Sequence, residues 1–195
     1  MKKFVVLAVL LFSSVIFSQG FKFGVGGGLT MIQGPDVLTK DFSSGGIGFG
    51  GEYHVGAKAK LSLPVIPLTP IAFLNYHIMS SSEEIAGQTF EATSSILSIG
   101  AGAEWSLLPG PLSPYLALDV AMNSFGKTEV KTPIGTFTTT GESRVGINIG
   151  AGAEFTLLPA FDIDASLKYS VFNLIGKESG EETVSALVFN VSLLF

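Results

Sequence analysis

Over most of the chain, large apolar residues fall on every second position, and the last stretch shows the rhythm most clearly. Residues 184–195 read V-S-A-L-V-F-N-V-S-L-L-F, with Leu187, Phe189, Val191, Leu193 and Phe195 on one phase and Asn190 and Ser192 on the other. Successive side chains of a strand point to opposite faces, so this segment is a strand with one apolar face. The same rhythm gives Ile47, Phe49, Tyr53, Val55, Ala57, Ala59 and Leu61 one face, and Leu97, Ile99, Ala101, Ala103, Trp105 and Leu107 another. Further on it collects Leu116, Leu118, Val120 and Met122, then Val145, Ile147, Ile149, Ala151, Ala153 and Phe155, then Ile163, Ala165, Leu167, Tyr169 and Val171. The opposite phase is small or charged: Gly24, Gly26 and Gly28; Glu52, His54, Lys58 and Lys60; Gly100, Gly102 and Glu104; Asp119 and Asn123; Arg144, Asn148 and Glu154; Asp162, Asp164 and Lys168.

A repeat organises these strands. The segment I-G-A-G-A-E-W-S-L-L-P at 99–109 returns as I-G-A-G-A-E-F-T-L-L-P at 149–159, a spacing of 50 residues, and Gly126-Lys127 returns as Gly176-Lys177. A fainter copy, V-G-A-K-A-K-L-S-L-P, occupies 55–64. Such periods raise the possibility of a propeller or solenoid. Each copy, however, is a strand, a proline-bearing turn and a returning strand, which favours hairpins. The turns fall at 64–70, 108–114 and 158–161, and longer polar stretches at 32–45, 80–93, 126–141 and 175–183 separate the hairpins. This yields eight strands at 21–30, 46–63, 71–79, 94–107, 115–124, 142–157, 161–173 and 184–195. An even count returns both ends of the chain to the side of the short turns.

Composition decides which way the apolar face points. Charged residues are only 14% of the chain, glycines number 24, and mean hydropathy is +0.51. Soluble domains usually carry about a quarter charged residues. Yet Gly, Pro and polar residues interrupt every apolar run after residue 20, so no segment suits a membrane helix. A hydrophobic chain without such helices can sit in lipid only as a closed barrel. The alternative is a soluble, lipocalin-like carrier with the apolar phase turned inward, since alternation alone does not fix the direction. At the start, Lys2 and Lys3 precede an apolar run at 4–17 and a Ser18-Gln19-Gly20 ending, the pattern of a cleaved signal peptide over 1–20. The run is short for a membrane anchor, which takes roughly 20 apolar residues. There is no cysteine, which removes disulfides, thiolate metal sites and a lipoprotein anchor. Without Lys2 and Lys3, nine basic residues face 16 acidic ones, which argues against a nucleic-acid partner.

A strand ending on a bare aromatic carboxyl terminus is a poor soluble edge, which proteins usually blunt with charge or proline. This ending, with Leu187, Phe189, Val191, Leu193 and Phe195 in alternation, resembles the final strand of bacterial outer-membrane β-barrel proteins. With the eight strands, the unequal turns and the leader, the chain resembles the small OmpA/OmpX/OmpW-type barrels, which are porin-like in build. With its sequence ending at Phe195, it is expected to depart from full-length OmpA-type proteins in having no periplasmic peptidoglycan-binding domain. The resemblance implies an all-β, eight-stranded antiparallel up-and-down transmembrane barrel over 21–195, with short turns in the periplasm and long loops outside. It implies outer-membrane lipid and lipopolysaccharide as surroundings, the barrel assembly machinery as a partner through the last strand, and a monomer. Tyr76, Trp105, Phe125, Phe155 and Tyr169, together with Phe172 and Phe195, are expected in interface belts.

Eight strands enclose a space that side chains just fill. Lys58, Lys60, Glu104, Asp119, Arg144, Glu154, Asp162, Asp164 and Lys168 are therefore expected to form an interior charge network, because an unpaired buried charge is costly. The expected role is structural or surface-interacting, with no catalytic, cofactor or metal residues. A narrow conduit for small or hydrophobic solutes is the alternative. His54 and His77 share the inward phase near Glu52 and Asn75, and some eight-stranded barrels modify lipid A with His and Ser groups, so a catalytic reading has these residues as its candidates. The long loops hold Asp36, Asp41, Glu83, Glu84, Glu91, Glu129, Glu178, Glu181 and Glu182 against Lys40, Lys127, Lys131 and Lys177, without the ligand spacing of a calcium loop.

Overall fold

The computed structural model describes residues 20–63, 66–158 and 161–195. The expected signal peptide lies outside the described residues except for Gly20. Among the described residues ten strands form: β1 (Phe21–Gly34), β2 (Gly51–Leu61), β3 (Leu68–Ile85), β4 (Gln88–Ser106), β5 (Leu112–Phe125), β6 (Lys127–Thr132), β7 (Gly135–Thr140), β8 (Ser143–Leu158), β9 (Phe161–Ile175) and β10 (Ser185–Leu194). A one-turn helix, α1 (Asp36–Thr39), and a 3-10 turn at Phe42–Ser44 lie between β1 and β2.

Eight strands close into an antiparallel barrel in the order β3-β2-β1-β10-β9-β8-β5-β4, with β4 returning to β3. The seam joins first strand to last: Gly24 pairs with Leu194 and Met31 with Leu187, and the Phe23 and Phe195 backbones exchange hydrogen bonds of 3.1 and 2.8 Å. The alternation has the sense that lipid requires. Leu167, Ile149, Leu118 and Val55 are exposed on the outer wall, whereas Glu104 and Asp164 are at most 1% exposed and Lys60 is buried. A soluble carrier with an apolar lumen is thereby excluded. Among the described residues no helix is long and apolar enough to cross a membrane.

Inside, glycine phases against bulk. A Cβ on Gly152 would lie 2.5 Å from the Tyr115 ring, and one on Gly100 would lie 2.5 Å from Phe73 Cζ. The glycines of the repeat thus face large inward side chains across the lumen wall.

Three expectations change. Residues 80–93 and 126–141, read as polar loops, are largely strand: β3 and β4 run on to a tight turn at Ala86 and Gly87 (φ 54° and 77°), and β6 and β7 form a hairpin whose β6 pairs with β4. Beyond the lipid both faces of a strand meet water, so no apolar alternation marks them. Second, β2 begins at Gly51, and Phe49 turns inward to 1% exposure instead of lining the outer face. Ile47 and Phe49 donate backbone hydrogen bonds to Val37 and Leu38 at 3.0 and 2.7 Å, because the glycine-rich 45–50 segment folds as a loop over the barrel end. Third, Phe172 leaves the expected belt and is 2% exposed, on the inward phase of β9.

Replacing Gly152 by Val is expected to lower the unfolding midpoint by the equivalent of about 1–3 kcal/mol, the usual overpacking cost. Gly51→Ala, where nothing lies within 4 Å of an added Cβ, serves as the neutral control. Heat-modifiable gel migration in detergent reads both.

Candidate functional site

The lumen is stacked in layers. At the long-loop end Ile32, Phe49, Met79, Ala92, Ile96, Phe172, Ala186 and Val188 form an apolar cluster, backed by Ile47, Phe125, Val130 and Val184. The Ser81 hydroxyl holds the covering loop by donating to the Ile47 carbonyl.

Beneath it lies a layer built on Thr30, His54 and His77, each at most 2% exposed. Asn190 Oδ1 stands 3.1 Å from His54 Nε2, which therefore carries the ring proton. His54 Nδ1 then accepts from the Thr30 hydroxyl at 3.0 Å, and Thr30 Oγ1 accepts from His77 Nδ1–H at 2.8 Å. The rings of His54 and His77 are 5.1 Å apart, and His77 meets Phe172 edge-on at 5.3 Å. This arrangement aligns hydroxyl, imidazole and amide, but on the lumen side of the wall, away from acyl chains. Thr30 is missing from the sequence reading; its inward phase on a strand beside His54 was the available signal.

Below this, a small cavity of about 50 Å³ is bordered by polar groups of His77, Ser98, Asp119, Asn148 and Lys168 and by apolar ones of Ile71, Phe73 and Val188. Lys168 pairs with Asp119 at 2.5 Å and lies 5.8 Å from the Phe73 ring centre.

The termini-side layer concentrates charge. Lys58 Nζ reaches Glu104 at 2.5 Å and Asp164 at 3.1 Å; Lys60 Nζ reaches Glu104 and Glu154 at 2.6 Å and Asp164 at 2.9 Å. Lys22 pairs with Glu154 and, at 2.6 Å, with Asp162. The Tyr115 hydroxyl donates to Asp164 at 2.8 Å, and its ring lies 5.0 Å beneath Lys60 Nζ. Lys22 and Tyr115 are members that the sequence reading left out. Below them opens a mouth of about 450 Å³ bordered by Ser62, Ile66, Pro67, Thr69 and Ser113.

Arg144 is not part of this network. It sits at the start of β8, at the long-loop end, because strand tilt and its position in the chain place it a full barrel height from Lys60. Its guanidinium donates to Glu181 at 2.9 and 3.0 Å and to Glu142 at 2.8 Å. Glu181 also accepts from Asn173 Nδ2 at 2.8 Å and from the Glu178 backbone at 3.0 Å. Asn173 Oδ1 in turn accepts from Val184 N at 2.7 Å. Arg144, then Asn173 and the Glu178 N–H, hold the Glu181 carboxyl down at about 2. Arg144, Glu142, Glu178, Glu181 and Val184 border a cleft of about 280 Å³ with Phe125, Thr128, Thr139 and Thr140. Among the described residues no three His, Asp or Glu side chains gather as a metal site.

Of the expected belt aromatics, Tyr76 and Tyr169 point outward toward the long-loop end, and Trp105 and Phe155 toward the termini, each more than 40% exposed. Phe125 is half-buried against the apolar cluster instead. Phe189, Val191 and Phe195 of the last strand are exposed, while Leu187 and Leu193 are half-buried on the same face.

A closed eight-stranded wall that is apolar outside and charged inside defines a membrane-spanning β-barrel. The chain belongs to the outer membrane protein beta-barrel domain family, whose model matches residues 4–195, and it is an outer-membrane protein. Its fold is similar to that of Neisserial surface protein A, at 16% identity and a TM-score of 0.56, over 90% of this chain and 96% of that one. It is similar also to Ail, the attachment invasion locus protein of Yersinia pestis, at 15% and 0.52, over 90% and 97%. A major outer membrane protein from Thermus thermophilus gives 13% and 0.56, over 90% and 99%. No curated protein matches the chain.

Lys60→Met strips the ammonium from three carboxylates and is expected to cost about 3–5 kcal/mol, as breaking a buried pair does, read by chemical unfolding in micelles. For Glu181, a depressed value means that its contacts stabilise the loop fully above its ordinary 4.5, and that this contribution is lost as pH falls toward about 2. Protection of the Val184 amide, with its exchange referred to the intrinsic rate at each pH, is expected to fall over that window, and Arg144→Gln, which removes the largest of the three contributions, should weaken the pH dependence.

Proposed function

We propose that this chain is a sealed, non-conducting barrel that anchors a rigid sheet at the cell surface, where it serves a structural or surface-interaction role. The observation that carries the reading is the two-level closure of the lumen. The apolar layer around Phe49, Ile96 and Phe172 offers an ion no polar partner, and the Lys58, Lys60, Glu104 and Asp164 layer fills the bore with paired charge. Either alone raises the barrier to an ion, through desolvation in the first and through breaking buried pairs in the second.

The long-loop end faces outward on this reading, because the chain termini and the short turns share the opposite rim, the periplasmic side in barrels of this kind. There β3 and β4 continue past the wall, β6 adds to β4 from Glu91↔Lys131 to Thr93↔Glu129, and β7 adds to β6. The result is a hydrogen-bonded platform. The chain reaches its membrane by its leader, and the exposed phase of β10 (Phe189, Val191, Phe195) is what the assembly machinery and then lipid would meet. Lipopolysaccharide surrounds the wall, and the wall needs no second copy to be complete. The Thr30, His54 and Asn190 alignment lies within the lumen, which weighs against chemistry on membrane lipid.

Purified protein in planar bilayers is expected to show no unitary current across a wide voltage range. Steady single-channel steps at neutral pH would replace this reading with the narrow conduit.

A further inference from the structure

The cleft at the long-loop end has the form of a receptor, and its occupant can be argued from its lining. Its base is rigid. Arg144 is committed to Glu181 and Glu142, Glu181 is saturated by Arg144, Asn173 and the Glu178 N–H, and Asn173 is locked to Val184. Such cross-bracing fixes the floor of the cleft, and with it the Glu142 side chain and the Glu178 backbone, before a ligand arrives. One wall is a row of hydroxyls, with Thr139 and Thr140 exposed and Thr128 bonded to Ser94 at 2.9 Å. Phe125 adds an aromatic surface. The lining holds one guanidinium against the carboxylates of Glu142, Glu178 and Glu181, an excess of two negative charges. Among the described residues the Glu178 carboxylate has no cationic partner, and Glu142 is 63% exposed with only one of its oxygens engaged. A volume of about 280 Å³ falls just under the range for drug-sized guests, about 300–1,000 Å³. The guest is therefore a single ring or head group.

We propose that this cleft binds an amino sugar: a hexosamine unit whose ammonium meets Glu142 and Glu178 while its ring hydroxyls meet Thr139 and Thr140. The proposal rests on the surface-interaction reading above and names the ligand class for it. Sulfated or phosphorylated sugars are disfavoured by the charge excess. A lysine-rich peptide would satisfy the carboxylates but has no use for the threonine wall, so it is the competing occupant. The ligand chemistry is shared by two sources, saccharide of lipopolysaccharide in the same membrane and glycan from outside.

The test is calorimetric titration of the full-length protein in detergent with a glucosamine oligomer. Saturable binding is expected, abolished by N-acetylation of the oligomer and weakened about tenfold or more by Glu142→Gln with Glu178→Gln, each lost charge-assisted bond being worth roughly 1.5–3 kcal/mol. Thr139→Val with Thr140→Val should weaken it too. All four positions are exposed, and heat-modifiable migration checks that the variants stay folded. Absent binding overturns the proposal. So does equal affinity for oligolysine with indifference to the threonine pair, which would reduce the cleft to a charged surface. Repeating the titration in nanodiscs with amino-sugar-bearing lipopolysaccharide separates the sources: loss of oligomer binding assigns the site to the membrane's own saccharide, and retention assigns it to one from outside. Single-channel steps in bilayers, which would sink the sealed-barrel reading, leave these outcomes untouched, so the two readings fail independently.

Discussion

Lipid offers no hydrogen bonds, and that single deprivation governs this molecule. Each backbone N–H and C=O at membrane depth must find a partner within the wall, since an unmet group costs several kcal/mol. Eight strands meet the demand only if the first pairs with the last. Here that seam is made by β1 and β10 along their lengths, and the terminal residue itself is enlisted through the Phe23 and Phe195 backbones. Phe195, an apolar residue that would be a liability on a soluble edge, is thus a structural member. Closure also fixes the side chains: with every strand turned about its own axis by alternation, one face belongs to acyl chains and the other to a bore too narrow to stay empty.

Filling that bore is a problem of charge as much as volume. Lys58 and Lys60 on neighbouring inward positions of β2 would be intolerable alone. The carboxylates of Glu104 and Asp164, brought in from β4 and β9 across the lumen, make them tenable. Such pairs are weak evidence of added stability, because desolvation offsets much of the Coulomb gain, but they are strongly specifying, since no other register presents the partners together. Glycines supply the complementary half of the fit. Gly152 leaves the space that Tyr115 occupies, and Tyr115 returns a hydroxyl to Asp164.

What the sequence revealed and what it hid follow from where water is. Within the lipid-spanning wall the two faces see opposite environments, so Leu116, Leu118 and Val120 against Asp119 announce strand, phase and direction at once. Past the wall both faces are wet, and T-F-T-T-T at 136–140 carries no such contrast, which is why β6 and β7 and the tips of β3 and β4 read as loop. Phe49 fails for a related reason: its spacing continues the apolar phase of β2, but the surrounding glycines break the strand and send it over the bore. Arg144 has the inward phase and the wrong height. Phase is local, whereas height depends on tilt and strand offset, which only the assembled register supplies. Lys22 shares the inward phase of Gly24 and Gly26 on the strand read at 21–30, but it stands at the rim, and phase alone does not bring Glu154 and Asp162 from other strands within its reach.

The two ends of the barrel solve one problem, finishing a tube, in different chemical terms. At the termini the bore widens into a wet mouth, so Lys22 keeps contact with solvent while paired to the carboxylates and the turns can stay short. At the loop end the bore is capped by hydrocarbon, and a cap of Phe49, Ile96 and Phe172 stays put only if the chain above it is fastened. The fastenings are polar and local: Ser81 to Ile47, Asn173 to Val184, Arg144 to Glu181. Apolar closure and an ordered outer surface are therefore not separate features. The seal requires fixed loops, and fixed loops are what make a defined cleft outside.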